Sequence, residues 1–213
     1  MQSNTLKYST EFQKLISNPE QFAELMKDNE SSPVYEEWEQ KRRFIADVVD
    51  SDGTILDIGC AGGFFLRSLQ EWSGHKLTPY GVDIDEGYIY AAQKLYPDLK
   101  DHFAVLDVRE INTISTVGLP ENYDFVYWNF LGLKYFKDSN LHETIKSIIA
   151  LANKRVIVGF YRANSPKATE TEQQEEKAQL KKRVDDFTKD WPVTGTLYNP
   201  TKFNQAIVWI DKE

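Results

Sequence analysis

Apolar residues along this chain change their spacing near residue 53, and the change divides it into two textures. Before that point the repeat is helical. Asn18-Pro19 is a cap followed by proline at the first helical position, and Phe22, Leu25 and Met26 then share one face. Ser32-Pro33 repeats the device and predicts a helix through about Val49, ended by Asp50-Ser51-Asp52-Gly53. From Thr54 onward, short apolar runs alternate with amphipathic ones. Strands are predicted over 54–58, 80–84, 103–108, 124–130 and 155–161. Helices are predicted over 64–72 (inward stripe Phe65, Leu69, Trp72), 86–96 (Tyr88, Ala92, Leu95) and 141–152 (Leu141, Ile145, Ile148, Ile149). Gly74 and Pro97 stop the first two. The tail breaks the alternation with a long polar helix over 169–189. Strands over 194–198 and 203–210 follow, joined by Asn199-Pro200-Thr201-Lys202.

Continuous apolar strands alternating with amphipathic helices imply a parallel sheet covered on both faces. The expected fold is α/β: a doubly wound, mostly parallel seven-stranded sheet with an antiparallel C-terminal hairpin strand. Residues 1–52 are expected to form a helical cap and residues 53–213 the sheet domain. No apolar stretch approaches the ~20 residues of a membrane span. The start of the chain has no apolar core like that of a signal peptide, so no membrane association and a cytoplasmic location are the expectations. Cys60 is the single cysteine, which fits a reducing compartment.

The net charge of −8 argues against a polyanionic partner, so nucleic acid is not expected. The one dense basic run, Lys181-Lys182-Arg183, lies among acids and reads as the solvated face of a helix. His75, His102 and His142 have no metal-ligand spacing and read as surface residues, so no metal site is expected.

The candidate chemistry begins at Ile55-Leu-Asp-Ile-Gly-Cys-Ala-Gly-Gly63, a glycine-rich loop between a strand and a helix. Glycine there lets a ligand approach the backbone, and the helix N-terminus presents free N–H groups. Two phosphate-binding patterns fail at named positions. A P-loop needs Gly-Lys-Ser/Thr, but Phe64-Phe65 follows Gly63. A dinucleotide fingerprint counted from Gly59 meets Ala61 and Phe64 where glycines belong.

Asp57-x-Gly59-x-Ala61-x-Gly63 resembles motif I of the class I S-adenosylmethionine methyltransferases, with Ala61 in the middle glycine place. Gly81-Val-Asp-Ile-Asp85 resembles motif II, Leu106-Asp-Val108 motif III, and the run from Tyr123 to Phe130 motif IV. The resemblance implies S-adenosylmethionine as cofactor. It implies Gly59, Cys60, Ala61, Gly63 and Phe64 along the methionine part and ribose, and Asp83 with Ile84 at the ribose. It further implies Asp107 and Val108 at the adenine, and Asn129 and Phe130 at the mouth. Asp57 either ties the loop through its N–H groups or meets the ligand. Asp85 reads more readily as the N-cap of the next helix, and Cys60 as a small packing residue.

On the helix opened by Ser32-Pro33, Tyr35, Trp38, Arg42, Ile45 and Val49 project on one face at 100° per residue. Arg42 thus interrupts an apolar stripe. Either it snorkels to the edge, or it meets a carboxylate of the cofactor or of an acidic substrate, with Tyr35 or Trp38 facing the sulfonium. Asp85, Tyr127 and Tyr161 are weak candidates for a general base. The resemblance implies transfer of a methyl group to a small-molecule acceptor with an oxygen or nitrogen nucleophile. A non-catalytic binder of the cofactor, acting as sensor or scaffold, is the alternative. The apolar N-terminal helices could be a lid or a dimer interface, so a monomer and a homodimer are both open.

Overall fold

In the computed structural model the described residues are 8–26, 34–130, 138–161, 170–201 and 204–213. Three short helices come first: α1 (Thr10–Ser17), α2 (Pro19–Leu25) and α3 (Tyr35–Arg42). Ser9 caps α1 by accepting from Phe12 N, and the Asn18 side chain accepts from Glu20 N at the start of α2. The predicted start of α3 at Ser32-Pro33 lies outside the described residues. Its end differs from expectation, because the chain tightens at Arg43 into a 3₁₀ helix through Val48. Phe44, Ile45, Ala46, Val48 and Val49 are all buried there, more than an α-helical stripe would bury. The tertiary core therefore sets the winding.

The sheet follows: β1 (Gly53–Ile58), α4 (Phe64–Trp72), β2 (Leu77–Asp83), α5 (Glu86–Leu95), β3 (Phe103–Val105) and β4 (Tyr123–Asn129). Then come α6 (Asp138–Ala150), β5 (Ala152–Tyr161), α7 (Glu170–Asp190), β6 (Gly195–Tyr198) and β7 (Gln205–Asp211). The seven strands lie in the order β3-β2-β1-β4-β5-β7-β6. All pairs among β1 to β5 are parallel, and β7 runs antiparallel to both β5 and β6. This is the doubly wound sheet with a reversed C-terminal strand that the sequence predicts.

Two local expectations shift. β3 ends at Val105, three residues early, because Asp107 caps a 3₁₀ helix over Val108–Val117 by accepting from Arg109 N. On α5 the buried stripe is Ile89 and Ala92 with Leu95 against it, so Ile89 takes the place expected of Tyr88.

Two apolar cores sandwich the sheet. One joins α1 to α4 with the sheet face carrying Ile55, Phe125, Tyr127 and Ile157. The other joins α6 and α7 with Leu56, Val126, Trp128, Val156 and Phe160. The N-terminal helices share one core with the sheet. Asn199, in the loop before β7, also ties them down: its Nδ2 donates to Gln40 O at 2.9 Å and Lys41 O at 3.3 Å, at the C-terminus of α3.

Candidate functional site

The chain runs from β1 outward through β2 and β3, then returns to place β4 on the other side of β1. The crevice beyond the carboxyl ends of β1 and β4 is therefore the topological switch point, where sheets of this kind bind ligands. The glycine loop leaves β1 there. Gly59 (φ +81°) and Gly63 (φ +77°) are left-handed, and so is Ala61 at φ +46°. A side chain in that region costs about 1–2 kcal/mol, and the loop holds it by a tight web of N–H donors. Gly59 N and Cys60 N both donate to Val82 O (2.8 and 3.0 Å), Ala61 N donates to Asp83 Oδ2 (2.9 Å), and Gly63 N donates to Cys60 O (2.9 Å). Cys60 is a packing residue: its Sγ occupies the space a Cβ on Gly81 would need, at 2.6 Å. Burial pushes its thiol well above the ordinary range.

This web leaves Asp57 out. Its carboxyl is buried (3% exposed) and makes no hydrogen bond among the described residues. Burial pushes it up to about 8, the charge of Asp83 adds to the rise, and the Arg42 guanidinium opposes it. The loop-tying role belongs instead to Asp83, whose second oxygen accepts from Asp85 N at 3.0 Å. Ile84, beside it, is 65% exposed, an unusual position for an isoleucine unless a flat ligand covers it.

Arg42 reaches the crevice from the last turn of α3. Its guanidinium lies 3.9 Å over the Trp38 ring and 5.3 Å from the Tyr161 ring, with no hydrogen bond or ion pair among the described residues. Trp38 is itself fixed by a bond from Nε1 to Ser68 Oγ at 3.1 Å. From the strands, Tyr127 and Tyr161 bring their hydroxyls within 2.7 Å of each other. Gly159 permits that reach, since a Cβ there would stand 2.6 Å from the Tyr127 hydroxyl. Burial holds the Tyr127 phenol well above its usual range, so it serves as a neutral hydrogen-bonding group and not as a base. At the end of β4, Asn129 Oδ1 is buried without a partner.

Several expected site residues have side chains engaged within the protein. Tyr35 is in the cap core: its hydroxyl accepts from Trp72 Nε1 at 2.9 Å, and Phe12 and Phe22 pack edge-on against its ring. The Phe64 side chain is fully buried against Phe12, Phe22 and Trp38, facing away from the loop it follows. Asp85 caps α5 by accepting from Tyr88 N at 3.1 Å, as the N-cap reading expects. Asp107 is paired with Arg109, whose guanidinium holds its carboxyl below the usual carboxylate range. Val108 packs on the α6–α7 core, and the Phe130 ring sits among Phe160 and Phe187. His102 is half-buried, while His142 is exposed as expected. His102 stacks on Tyr80 at 4.0 Å and bonds Pro79 O, while His142 lies on α6 against Trp191.

One residue was hidden in the basic run of α7. Lys181 and Lys182 pair outward with Asp185 and Asp186. Arg183 turns inward, donating to Phe130 O at 2.9 Å and Tyr161 O at 3.2 Å, and so holds the ends of β4 and β5. The available signal was its place beside the stripe Leu180, Val184 and Phe187.

No curated protein matches the sequence as a relative. Residues 55–155 match the methyltransferase domain family. Among solved structures, the fold is similar to magnesium protoporphyrin IX methyltransferase of Synechocystis PCC 6803, solved with bound S-adenosylmethionine. That similarity has a TM-score of 0.53 at 18% identity, covering 97% of this chain and 93% of that one. A protein of Pyrococcus horikoshii OT3 gives 0.58 at 16% identity, over 87% and 94%. The N-methyltransferase NodS of Bradyrhizobium japonicum WM9 gives 0.54 at 12% identity, over 87% and 98%.

The residues present suit S-adenosylmethionine: a loop open to close backbone approach, an acceptor-only carboxylate at the end of β2, and two side chains without a hydrogen bond among the described residues, Asp57 at the end of β1 and Arg42 on α3. Residues 55–155 thus match the methyltransferase domain family, within a sheet whose fold is similar to that of solved S-adenosylmethionine-dependent methyltransferases.

Proposed function

We propose that the chain transfers the methyl group of S-adenosylmethionine to a small-molecule acceptor through an oxygen or nitrogen nucleophile. The cofactor supplies a methyl group already activated by its positive sulfur, so the protein's task is alignment and exclusion of water. In this reading the loop backbone of Gly59, Cys60, Ala61 and Gly63 lines the methionine part. Asp83 accepts from the ribose hydroxyls, having lone pairs to spare beyond its two backbone bonds. Ile84 packs on the adenine, with Asp107 and Val108 at its edge through the backbone. Arg42, held flat by Trp38, takes the carboxylate of the methionine part. Residues 1–52 act as a cap over the domain of residues 53–213. A cytoplasmic setting suits the lone, buried Cys60.

The observation that carries the small-molecule reading is the wall between α3 and the ends of β4 and β5. Trp38, Arg42, Tyr127, Asn129 and Tyr161 converge there, a mainly aromatic surface with a few directed polar atoms, as small ligands require. Among the described residues the same wall offers no histidine, and no carboxylate beside the Tyr127 and Tyr161 hydroxyls, in position as a base. Acceptors whose nucleophile has a free lone pair at neutral pH are therefore favoured.

The test is incubation with S-adenosylmethionine labelled in the methyl group and a cell extract split by size. Label in the low-mass fraction is expected. Label confined to RNA, DNA or protein would overturn the small-molecule assignment.

A further inference from the structure

Arg42 sits at a break in the helix that carries it. Its φ of −128° and ψ of −21° lie outside the α-helical region, and the chain winds on from Arg43 as a 3₁₀ helix. A break in a helix needs a cause, and a side chain inserted into its ladder of bonds is one. Here the inserted side chain is Asn199, from the loop between β6 and β7. In a continuing α-helix the carbonyls of Gln40 and Lys41 would accept from Phe44 N and Ile45 N. In this chain both accept from Asn199 Nδ2, at 2.9 and 3.3 Å. Asn199 is buried, and its amide is used at both ends. Nδ2 also donates to Gln205 Oε1 at 2.7 Å, while Oδ1 accepts from Thr201 N at 2.9 Å and Thr201 Oγ1 at 2.7 Å. Those bonds fix the orientation of the amide. Turned over, it would set two acceptors against each other at Gln40 O and two donors at Thr201 N. Gln205 is in turn the in-register partner of Tyr161 across β7 and β5. The Asn199–Gln205 pair thus ties together two sides of the crevice, α3 with Arg42 and the end of β5 with Tyr161. The stack on Trp38 sets the plane of the Arg42 guanidinium. How far that group is carried toward Tyr161, 5.3 Å away, depends on the bend in the backbone.

We propose that Asn199 is a positioning residue for the amino-acid end of the cofactor: by holding the carbonyls of Gln40 and Lys41 it keeps α3 bent at Arg42, and so keeps the guanidinium where the ligand's carboxylate arrives. The inference rests on the cofactor reading above, in which Arg42 takes that carboxylate. Asn199 itself touches no ligand and acts through Arg42. In the same reading the nucleoside is served from the glycine loop and the end of β2, so Asn199 acts on one end of the ligand only. That separates it from a plain staple between the hairpin and the cap, whose loss would weaken both ends alike.

The experiment is titration calorimetry of the full chain with two ligands. One is S-adenosylhomocysteine; the other is methylthioadenosine, which has the same nucleoside but no amino-acid end. Arg42→Ala is expected to lose about 10–100-fold in affinity for the first and to stay within about twofold for the second. Asn199→Ala is expected to lose about five- to tenfold for S-adenosylhomocysteine alone, and to cost nothing further when added to Arg42→Ala. A thermal melt confirms that each variant is folded. Thr201→Ala removes one of the bonds that orient the amide, at an exposed residue, and carries the test if Asn199→Ala does not fold. It is expected to show a loss in the same direction of about two- to threefold, absent in the Arg42→Ala background. Equal losses for the two ligands, losses that add to that of Arg42→Ala, or no loss at all overturn the proposal and leave the cofactor reading intact. If Arg42→Ala treats the two ligands alike, or if neither ligand binds the native chain, the reading of Arg42 or of the cofactor falls and the proposal with it.

Discussion

The two ends of the one sheet are built on opposite rules. At the amino end of β1, β4 and β5 the strand-end charges are paired. Asp124 accepts from Thr54 N at 2.8 Å and faces Lys154 at 3.4 Å. Arg155 donates to Asp211 and to Val48 O, each at 2.5 Å, and lies 3.1 Å from Asp50. Beyond the carboxyl end of the same strands, Asp57, Asn129 Oδ1 and Arg42 from α3 have no such partner among the described residues. The sequence spends comparable residue types on both ends. What separates the two ends is whether charged groups satisfy one another or are left open for a ligand; the amino end still buries one neutral group without a partner among the described residues, the Tyr123 hydroxyl.

The sharpest break in this comparison comes from Asp83→Ala. It removes the acceptor for Ala61 N and Asp85 N and also the expected ribose partner. At about 1.5–3 kcal/mol for each bond to a charged group, losing two of them lowers S-adenosylhomocysteine affinity by about 10²–10⁴-fold in calorimetry. Arg155→Ala is the matching change at the paired end. It is expected to cost about 2–3 kcal/mol of stability, read as a fall of about 2–4 °C in Tm per kcal/mol, with ligand affinity unchanged within about twofold. Loss of affinity without loss of stability in Arg155→Ala would erase the distinction.

A smaller effect tests the boundary between the two ends. Gly159→Ala drives a methyl group into the Tyr127 hydroxyl and is expected to cost about 1–3 kcal/mol. Tyr127→Phe added to it removes the collision and restores most of the lost Tm. Smallest is Ala61→Gly, which relieves the left-handed φ of +46° but adds the chain entropy of glycine. The balance is a gain of about 0.5 kcal/mol, seen as a rise of about 1–2 °C in a thermal scan.

The parts legible in the sequence were those fixed by local pattern. The loop of residues 57–63, the helix after it and the reversed hairpin followed from spacing and from glycine positions. Gly74 is left-handed just past α4, as a helix stop should be. The parts that were not legible were set by tertiary contacts. A helical projection put Tyr35 and Arg42 on one face, yet Tyr35 ends beneath α4 bound to Trp72 while Arg42 reaches the crevice. Seven residues span almost two turns, so two members of one stripe can serve different neighbours. The inward turn of Arg183 and the pairing of Asp107 with Arg109 were hidden for a related reason. An acid at a strand end and a cation in a charged run look alike whether they face solvent or bond a backbone. Only the fold shows that Arg109 claims the first and that the second caps Phe130 and Tyr161.

The bonds from Asn199 to Gln40 O and Lys41 O have a consequence for the order in which the site comes into being. Arg42 follows those carbonyls directly, so the residue that positions it is made about 160 codons later in the message, in the hairpin that completes the sheet. A ribosome-bound chain lacking that hairpin has its glycine loop complete but lacks the two bonds to the carbonyls just before Arg42. If Arg42 holds the ligand as proposed, removal of the last strand is expected to act on the crevice as loosening of α3 would.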